Sequence, residues 1–363
     1  MKLSICKKII FSLIVLLIFL IVAELGIRVI LFLTPLGNKS LNLDPYEEPD
    51  LNFGWRLKAN YKNTRFSLNE NGEPQMLIIN SKGFVGKEFD TKKSSGVTRI
   101  ISMGDSVTFA GPPETCPYPA QLQEIFNKKY PNKVEAINAG VEGYSSEYVL
   151  KRLKYDILQY KPDIITVYVG WNDLYAVNPL SSLSYKKFSG LAKFLNNFYL
   201  YKAFRRVIFL SIKPKMEQIV MKNSYNQEVE DIYQNFEPII YKENLRKIIE
   251  AARENQIKLV LINLASILSD KMTESDIKKV HFPYFTSDIE KLKILQDRYN
   301  KAVEDIAKEE KVTLIDLNKA IDQIPDKGRL FFDTMHPYCA SQKIIAETIF
   351  NNLISQKLLN LVK

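Results

Sequence analysis

The sequence predicts an α/β domain built on a mostly parallel sheet with helices on both faces, preceded by an N-terminal membrane helix. Two patterns carry this. From Thr98 onward, short apolar runs alternate with amphipathic stretches. This is the pattern of parallel strands buried beneath crossover helices. Ahead of them, Ile9 to Ala23 is apolar apart from Ser12 and follows Lys2, Lys7 and Lys8. Those are the flanks of a membrane segment whose N-terminus stays cytoplasmic. With 363 residues and 46% hydrophobic content, the chain is long enough for one large domain with additions.

Taken in order, the apolar pattern continues past Ala23 through Leu25, Ile27 and Val29 to Leu33, enough helix to cross about 30 Å of hydrocarbon. Glu24 and Arg28, four residues apart, share a helix face and can pair at headgroup level. A cleaved signal peptide has the same flanks but needs a small-residue cleavage site, which is not evident. Residues 1–34 therefore read as an uncleaved single-pass anchor in the cytoplasmic (inner) membrane, with everything after Pro35 extracytoplasmic. Residues 35–97 carry Pro35, Pro45 and Pro49 without a long helical period, and read as a juxtamembrane stalk and small preamble. Within them Met76 to Ile79 is an expected strand and Asn80 to Gly83 the turn after it.

Residues 98–355 form the expected main domain. Its strands are placed at Arg99 to Met103, Val134 to Asn138, Ile164 to Val169, Leu259 to Asn263 and Thr313 to Asp316. Helices are placed at Ala120 to Lys129, Glu147 to Gln159, Lys242 to Asn255, Ile289 to Glu309 and Tyr338 to about Leu359. An insertion at about 178–240 is far longer than an ordinary connection. In it Phe194, Phe198, Tyr201, Phe204 and Ile208 recur at near-helical spacing among Lys193, Lys202, Arg205 and Arg206. That suits a basic, aromatic lid over a pocket or membrane, or an added helix packing its apolar face on the main domain.

The net charge of +9 is spread over scattered lysines rather than a groove, which reads as a solvated surface. No zinc-finger spacing or aromatic single-strand signature supports nucleic-acid binding.

Four polar blocks fall just after the expected strands or in the last loop: Gly104-Asp105-Ser106, Asn138 to Gly143, Gly170 to Asp173, and Asp333 to Pro337. In a parallel sheet these positions share one rim, beyond the carboxyl ends of the strands. A serine hydroxyl needs a neighbouring base before it attacks an ester. Of the two histidines, His281 has no acidic residue nearby upstream and reads as a surface or packing residue. His336 has Asp333 three residues earlier, close enough on a tight turn to accept the Nδ1 proton and leave Nε2 as base. Pro337 holds His336 extended and suits the start of the helix that follows. Together the four blocks read as an esterase.

In their order and their spacing from the strands, these blocks resemble the SGNH, or GDSL-type, hydrolase family over residues 98–355. The resemblance implies a three-layer α/β/α sandwich of flavodoxin-like type and a catalytic triad of Ser106, Asp333 and His336. It also implies an oxyanion hole from the backbone N–H groups of Ser106 and Gly143 and the side-chain amide of Asn172. Three converging donors are the device expected to contribute most to acyl transfer. Trp171 is either a wall of the acyl or sugar pocket or ordinary core. The chain lacks Gly-x-Ser-x-Gly, so the nucleophile elbow of ordinary α/β-hydrolases does not apply.

Cys116 lies ten residues after Ser106 and Cys339 three after His336, so a fold that joins the serine to the histidine brings the cysteines near each other. A disulfide and two buried free thiols both remain open. A zinc site from Cys116, Cys339 and His336 lacks a fourth ligand. No metal or organic cofactor is required. The expected function is a membrane-anchored extracytoplasmic serine esterase acting on an acyl ester, acetyl among the candidates, carried by a cell-envelope glycan or lipid. One alternative is an O-acyltransferase that uses the same triad to acylate a cell-surface glycan. The other is a catalytically silent envelope protein that kept the fold for binding or assembly.

Overall fold

The structure, a computed structural model, describes residues 5–33, 44–65, 73–177, 179, 198, 200, 201 and 227–359. It divides into two units, residues 1–45 with 178–226, and residues 46–177 with 227–363.

In the first unit, α1 (Ile5–Leu33) is a single helix whose stretch Ile10–Val29 is long and apolar enough to span a membrane. Glu24 and Arg28 pair at 2.8 Å, as their spacing on one face requires. Glu24 also accepts the backbone N–H of Leu200 at 2.8 Å, so the insertion touches the helix where its polar pair lies. Of the aromatic run expected from Phe194 to Ile208, Phe194, Phe204 and Ile208 lie outside the described residues.

The second unit opens with two antiparallel hairpins, β1 (Glu47–Asp50) with β2 (Gly54–Leu57) and β3 (Lys62–Arg65) with β4 (Gln75–Ile78). The described residues 46–65 and 73–97 belong to the same unit as the main sheet. Their own side chains explain this: Tyr46, Leu57, Leu77, Ile79 and Phe84 are buried, and residues Asp90 and Thr91 cap a buried arginine with their carbonyls. That arginine, Arg99, also bonds the Tyr160 carbonyl and Glu135 and is 1% exposed. Removing one partner of so enclosed a charge costs about 3–5 kcal/mol, so these contacts fix the segment to the sheet.

The main sheet contains β5 (Thr98–Gly104), β6 (Val134–Gly140), β7 (Ile164–Tyr168), β8 (Lys258–Ile262) and β9 (Thr313–Ile315). All neighbours are parallel and the order is β6-β5-β7-β8-β9. Numbered within the sheet this is 2-1-3-4-5, the flavodoxin-like arrangement, in which the order reverses beside β5. Every residue of β7 is buried, as a strand covered on both faces must be.

The connecting helices are α2 (Ser106–Phe109), α3 (Tyr118–Lys129), α4 (Ser146–Tyr155), α5 (Trp171–Ala176), α6 (Gln227–Gln234), α7 (Ile239–Glu254), α8 (Glu274–Lys279), α9 (Ile289–Glu310), α10 (Leu317–Asp322) and α11 (Cys339–Ser355). α3 packs with α11, while α4 and α9 pack with α7. Right-handed crossovers put these two groups on opposite faces, which completes the three layers. Local signals set the ends. The side chain of Asp288 caps α9 by accepting the N–H groups of Glu290 and Lys291, and Lys311 closes it in the left-handed region. The expected helix from Glu147 to Gln159 is α4 followed by a 3-10 turn at Ile157–Tyr160.

Candidate active site

β5 ends at Gly104, and the chain turns at Asp105 directly into α2. Asp105 is the N-cap and accepts the Val107 N–H at 3.0 Å, which makes Ser106 the first helical residue. A first-turn N–H has no intrahelical acceptor, so the Ser106 amide is available to an anion. The helix lies tight against β6: a methyl group added at Gly140 would sit 2.3 Å from the Phe109 nitrogen. Only glycine permits that approach, and it brings the end of β6 beside the serine.

Ser106 Oγ lies 2.7 Å from His336 Nε2, and His336 Nδ1 lies 2.7 Å from Asp333 Oδ2. The second Asp333 oxygen accepts the backbone N–H groups of Met335 and His336, both at 2.9 Å. One carboxylate thus orders the turn and the imidazole together. The loop is pinned by a Phe331–Pro337 bridge and by Ile267, whose N–H donates to the Thr334 carbonyl. His281 is exposed and stacks on Tyr175, while its backbone N–H and carbonyl bind the Thr334 hydroxyl.

Charge is arranged to make His336 a stronger base. Burial pushes its pKa down, but the hydrogen bond and charge of Asp333, with Asp105 and Glu142 behind it, leave it above the ordinary histidine value. Burial would raise Asp333, yet its bonds to His336 and two backbone N–H groups hold it below the usual carboxylate range. Asp105 is the opposite case. Burial raises it to about 7 against the Val107 bond and the His336 charge, and its Oδ2 is buried without a hydrogen-bond partner among the described residues.

Gly143 adopts φ +73°, a conformation that favours glycine. Asn172, the second residue of α5, donates one amide hydrogen to the Tyr144 carbonyl at 3.0 Å, which leaves the other for a ligand. Asp173 accepts both the N–H and hydroxyl of Ser146, tying the start of α5 to the start of α4. Burial lifts this carboxyl to about 6, against those two bonds.

All four blocks named from the sequence therefore meet on one rim. Trp171 is 1% exposed and packs edge-on to Tyr175, so the structure places it in the core and not on an open pocket wall. Cys116 and Cys339 are both free thiols, brought to one place in the fold. Gln121 donates to both of their carbonyls. The Cys339 thiol and burial push Cys116 up. Among the described residues, no group of three or more His, Cys, Asp or Glu side chains is placed to hold a metal ion.

Sequence reasoning missed the residues behind Gly143. Trp55 donates its indole N–H to the Glu142 carbonyl at 3.1 Å, and Tyr46 and Arg65 bind the Glu142 carboxylate. Trp55 and Arg65 come from the first two hairpins and Tyr46 directly precedes β1, and the one signal was that Trp55 is one of two tryptophans in the chain.

The model of the GDSL-like lipase/acylhydrolase family matches residues 102–340, about two thirds of the chain. The chain belongs to this family. It is accordingly an ester hydrolase of the GDSL type. A comparison with curated proteins finds no match. Among solved structures, the GDSL hydrolase is similar to an α/β hydrolase from the metagenome of Lake Arreo, Spain, at 16% identity, covering 72% of this chain and 96% of that one, with a TM-score of 0.45. A GDSL-like lipase from Bacteroides thetaiotaomicron is 15% identical over 71% of this chain and 89% of its own, with a TM-score of 0.42. An acetylxylan esterase from Geobacillus stearothermophilus is 15% identical over 72% and 96%, with a TM-score of 0.43.

Proposed function

We propose that this GDSL hydrolase is a membrane-anchored serine esterase that cleaves an acyl ester through a Ser106 acyl-enzyme on the extracytoplasmic side. The observation that carries the reading is the unbroken chain from Ser106 Oγ through the His336 imidazole to Asp333, with both hydrogen bonds at 2.7 Å.

With Asp333 accepting the Nδ1 proton, Nε2 is the unprotonated nitrogen and takes the serine proton as Oγ attacks the ester carbonyl. The oxyanion of the tetrahedral intermediate is bound by the N–H groups of Ser106 and Gly143 and the free amide hydrogen of Asn172. The imidazolium then protonates the leaving alcohol. Water attacks the acyl-enzyme by the same path, which releases the acid and restores the serine. Asp333 remains ionised throughout, because its pKa lies below the usual range.

The anchor and its direction are supported by the apolar span Ile10–Val29 and by the lysines at its N-terminal side. Protease digestion of sealed vesicles of each orientation tests the topology. Digestion of the catalytic domain from the cytoplasmic face would overturn it.

The chemistry is tested by a fluorophosphonate probe and by hydrolysis of p-nitrophenyl acetate. The expected result is covalent labelling at Ser106 and acetate release that Ser106→Ala abolishes. A folded protein that neither labels nor hydrolyses would overturn the enzyme reading. Unchanged hydrolysis by the Ser106→Ala variant would overturn the site.

A further inference from the structure

Resting on the reading of Gly143 as an oxyanion donor, we infer that Trp55 is a positioning residue for the oxyanion hole, supplied from outside the family-matched region. The argument begins with the peptide that links Glu142 to Gly143. It is trans, so its carbonyl and its N–H point in opposite directions within one rigid plane. The Trp55 indole N–H binds that carbonyl at 3.1 Å. Fixing the carbonyl from one side aims the Gly143 N–H to the other. Donation into a carbonyl also polarises the amide, which makes its N–H the better donor.

The indole cannot drift from this position. Its ring packs on Tyr148 and Tyr144, with centroids 4.6 and 5.3 Å away. A methyl group on Gly143 would lie 3.2 Å from the indole, so ring and glycine backbone are already close. The Trp55 carbonyl accepts the Tyr144 hydroxyl at 2.5 Å, and the Tyr144 carbonyl in turn holds the Asn172 amide at 3.0 Å. Trp55 is thus connected to two of the three donors, directly to the Gly143 peptide and through Tyr144 to Asn172. Arg65 and Tyr46 secure the same loop by its other end, on the Glu142 carboxylate. The family match starts at residue 102, so the hairpin that carries Trp55 lies outside the matched region.

The test uses the full chain in detergent and p-nitrophenyl acetate, with Trp55→Phe and a replacement of Trp55 by its benzothienyl isostere, which keeps the ring and lacks the N–H. Losing an aligned oxyanion donor lowers kcat by about a hundredfold or more, so misaiming one is expected to lower it by about tenfold to a hundredfold. KM and the acid limb of the pH profile stay in place, since Tyr46 and Arg65 still hold the Glu142 carboxylate and Asp333 still holds His336. Affinity for an arylboronic acid, which forms a tetrahedral adduct on the serine, falls in step with kcat/KM. A purely structural role would lower the melting temperature and leave that proportionality absent. An isostere variant with kcat within about twofold of the parent overturns the inference, as does a lost rate accompanied by a shifted acid limb. Ser106→Ala run in parallel separates the two failures: if it retains hydrolysis, the reading of the site is wrong, whatever Trp55 does.

Discussion

Asp333 and His336 stand three residues apart in one loop, whereas the peptide of Gly143 is held by an indole 87 positions away from its carbonyl in sequence. The acid–base half of the candidate site is ordered by its own turn, with one carboxylate oxygen on the backbone and the other on the imidazole. The proposed oxyanion half is a loop ordered by neighbours from elsewhere. The difference teaches that the two halves fail differently. Damage to the first removes a proton acceptor, while damage to the second leaves the triad intact and misdirects the donors.

Four substitutions sharpen that contrast, in order of expected effect. Ser106→Ala should lower kcat by about 10⁶, the scale on which loss of a serine nucleophile falls. Burst and steady-state kinetics with p-nitrophenyl acetate measure it. A loss under about tenfold would remove the serine from the mechanism. Asp333→Asn keeps the size of the side chain but replaces an acceptor oxygen with a donor, which favours the wrong imidazole tautomer. A loss of about 10⁴ in kcat is expected. Asn172→Ala removes one oxyanion donor and should cost about 10² to 10³ in kcat with little change in KM. A pure KM effect would instead make Asn172 a substrate-binding residue.

The fourth substitution bears on charge alone. His336 must be neutral to accept the serine proton, so activity falls as pH drops through its pKa, which is held above the ordinary value in part by Asp105. Asp105→Asn keeps the acceptor for the Val107 N–H and removes the carboxylate. The acid limb of kcat/KM should then move to lower pH, with the alkaline plateau kept. A limb that stays put would show that Asp105, raised to about 7 by burial, is already protonated where His336 titrates.

Much of this was legible in the chain because the signals were short-range. Runs such as Ile164 to Val169 can be buried on both faces only as a central strand, and the ends of each expected strand fall within two residues of those of β5 to β9. The spacing of Asp333 and His336 already placed a carboxylate within reach of an imidazole. The pairing within the preamble was not legible because Pro49 and the short runs around it have no period. Hairpins such as β1 with β2 take their stability from the surface they cover rather than from their own pattern. Trp171 was undecided for a related reason: an indole beside a polar block suits a pocket or a core, and only packing chooses.

The sequence by itself determined the alternation of strand and helix, the apolar N-terminal span, the serine at a strand end and the histidine with its own acid. These are properties of composition and spacing within about 20 residues, where chain geometry leaves few choices. Tertiary structure alone decided that Ser106 and His336 lie 2.7 Å apart across 230 positions, that Cys116 and Cys339 adjoin as free thiols, and that Trp55 fixes the Gly143 peptide. Such contacts depend on how layers stack and which surfaces need cover. No local pattern encodes the partner of a carbonyl that lies far along the chain.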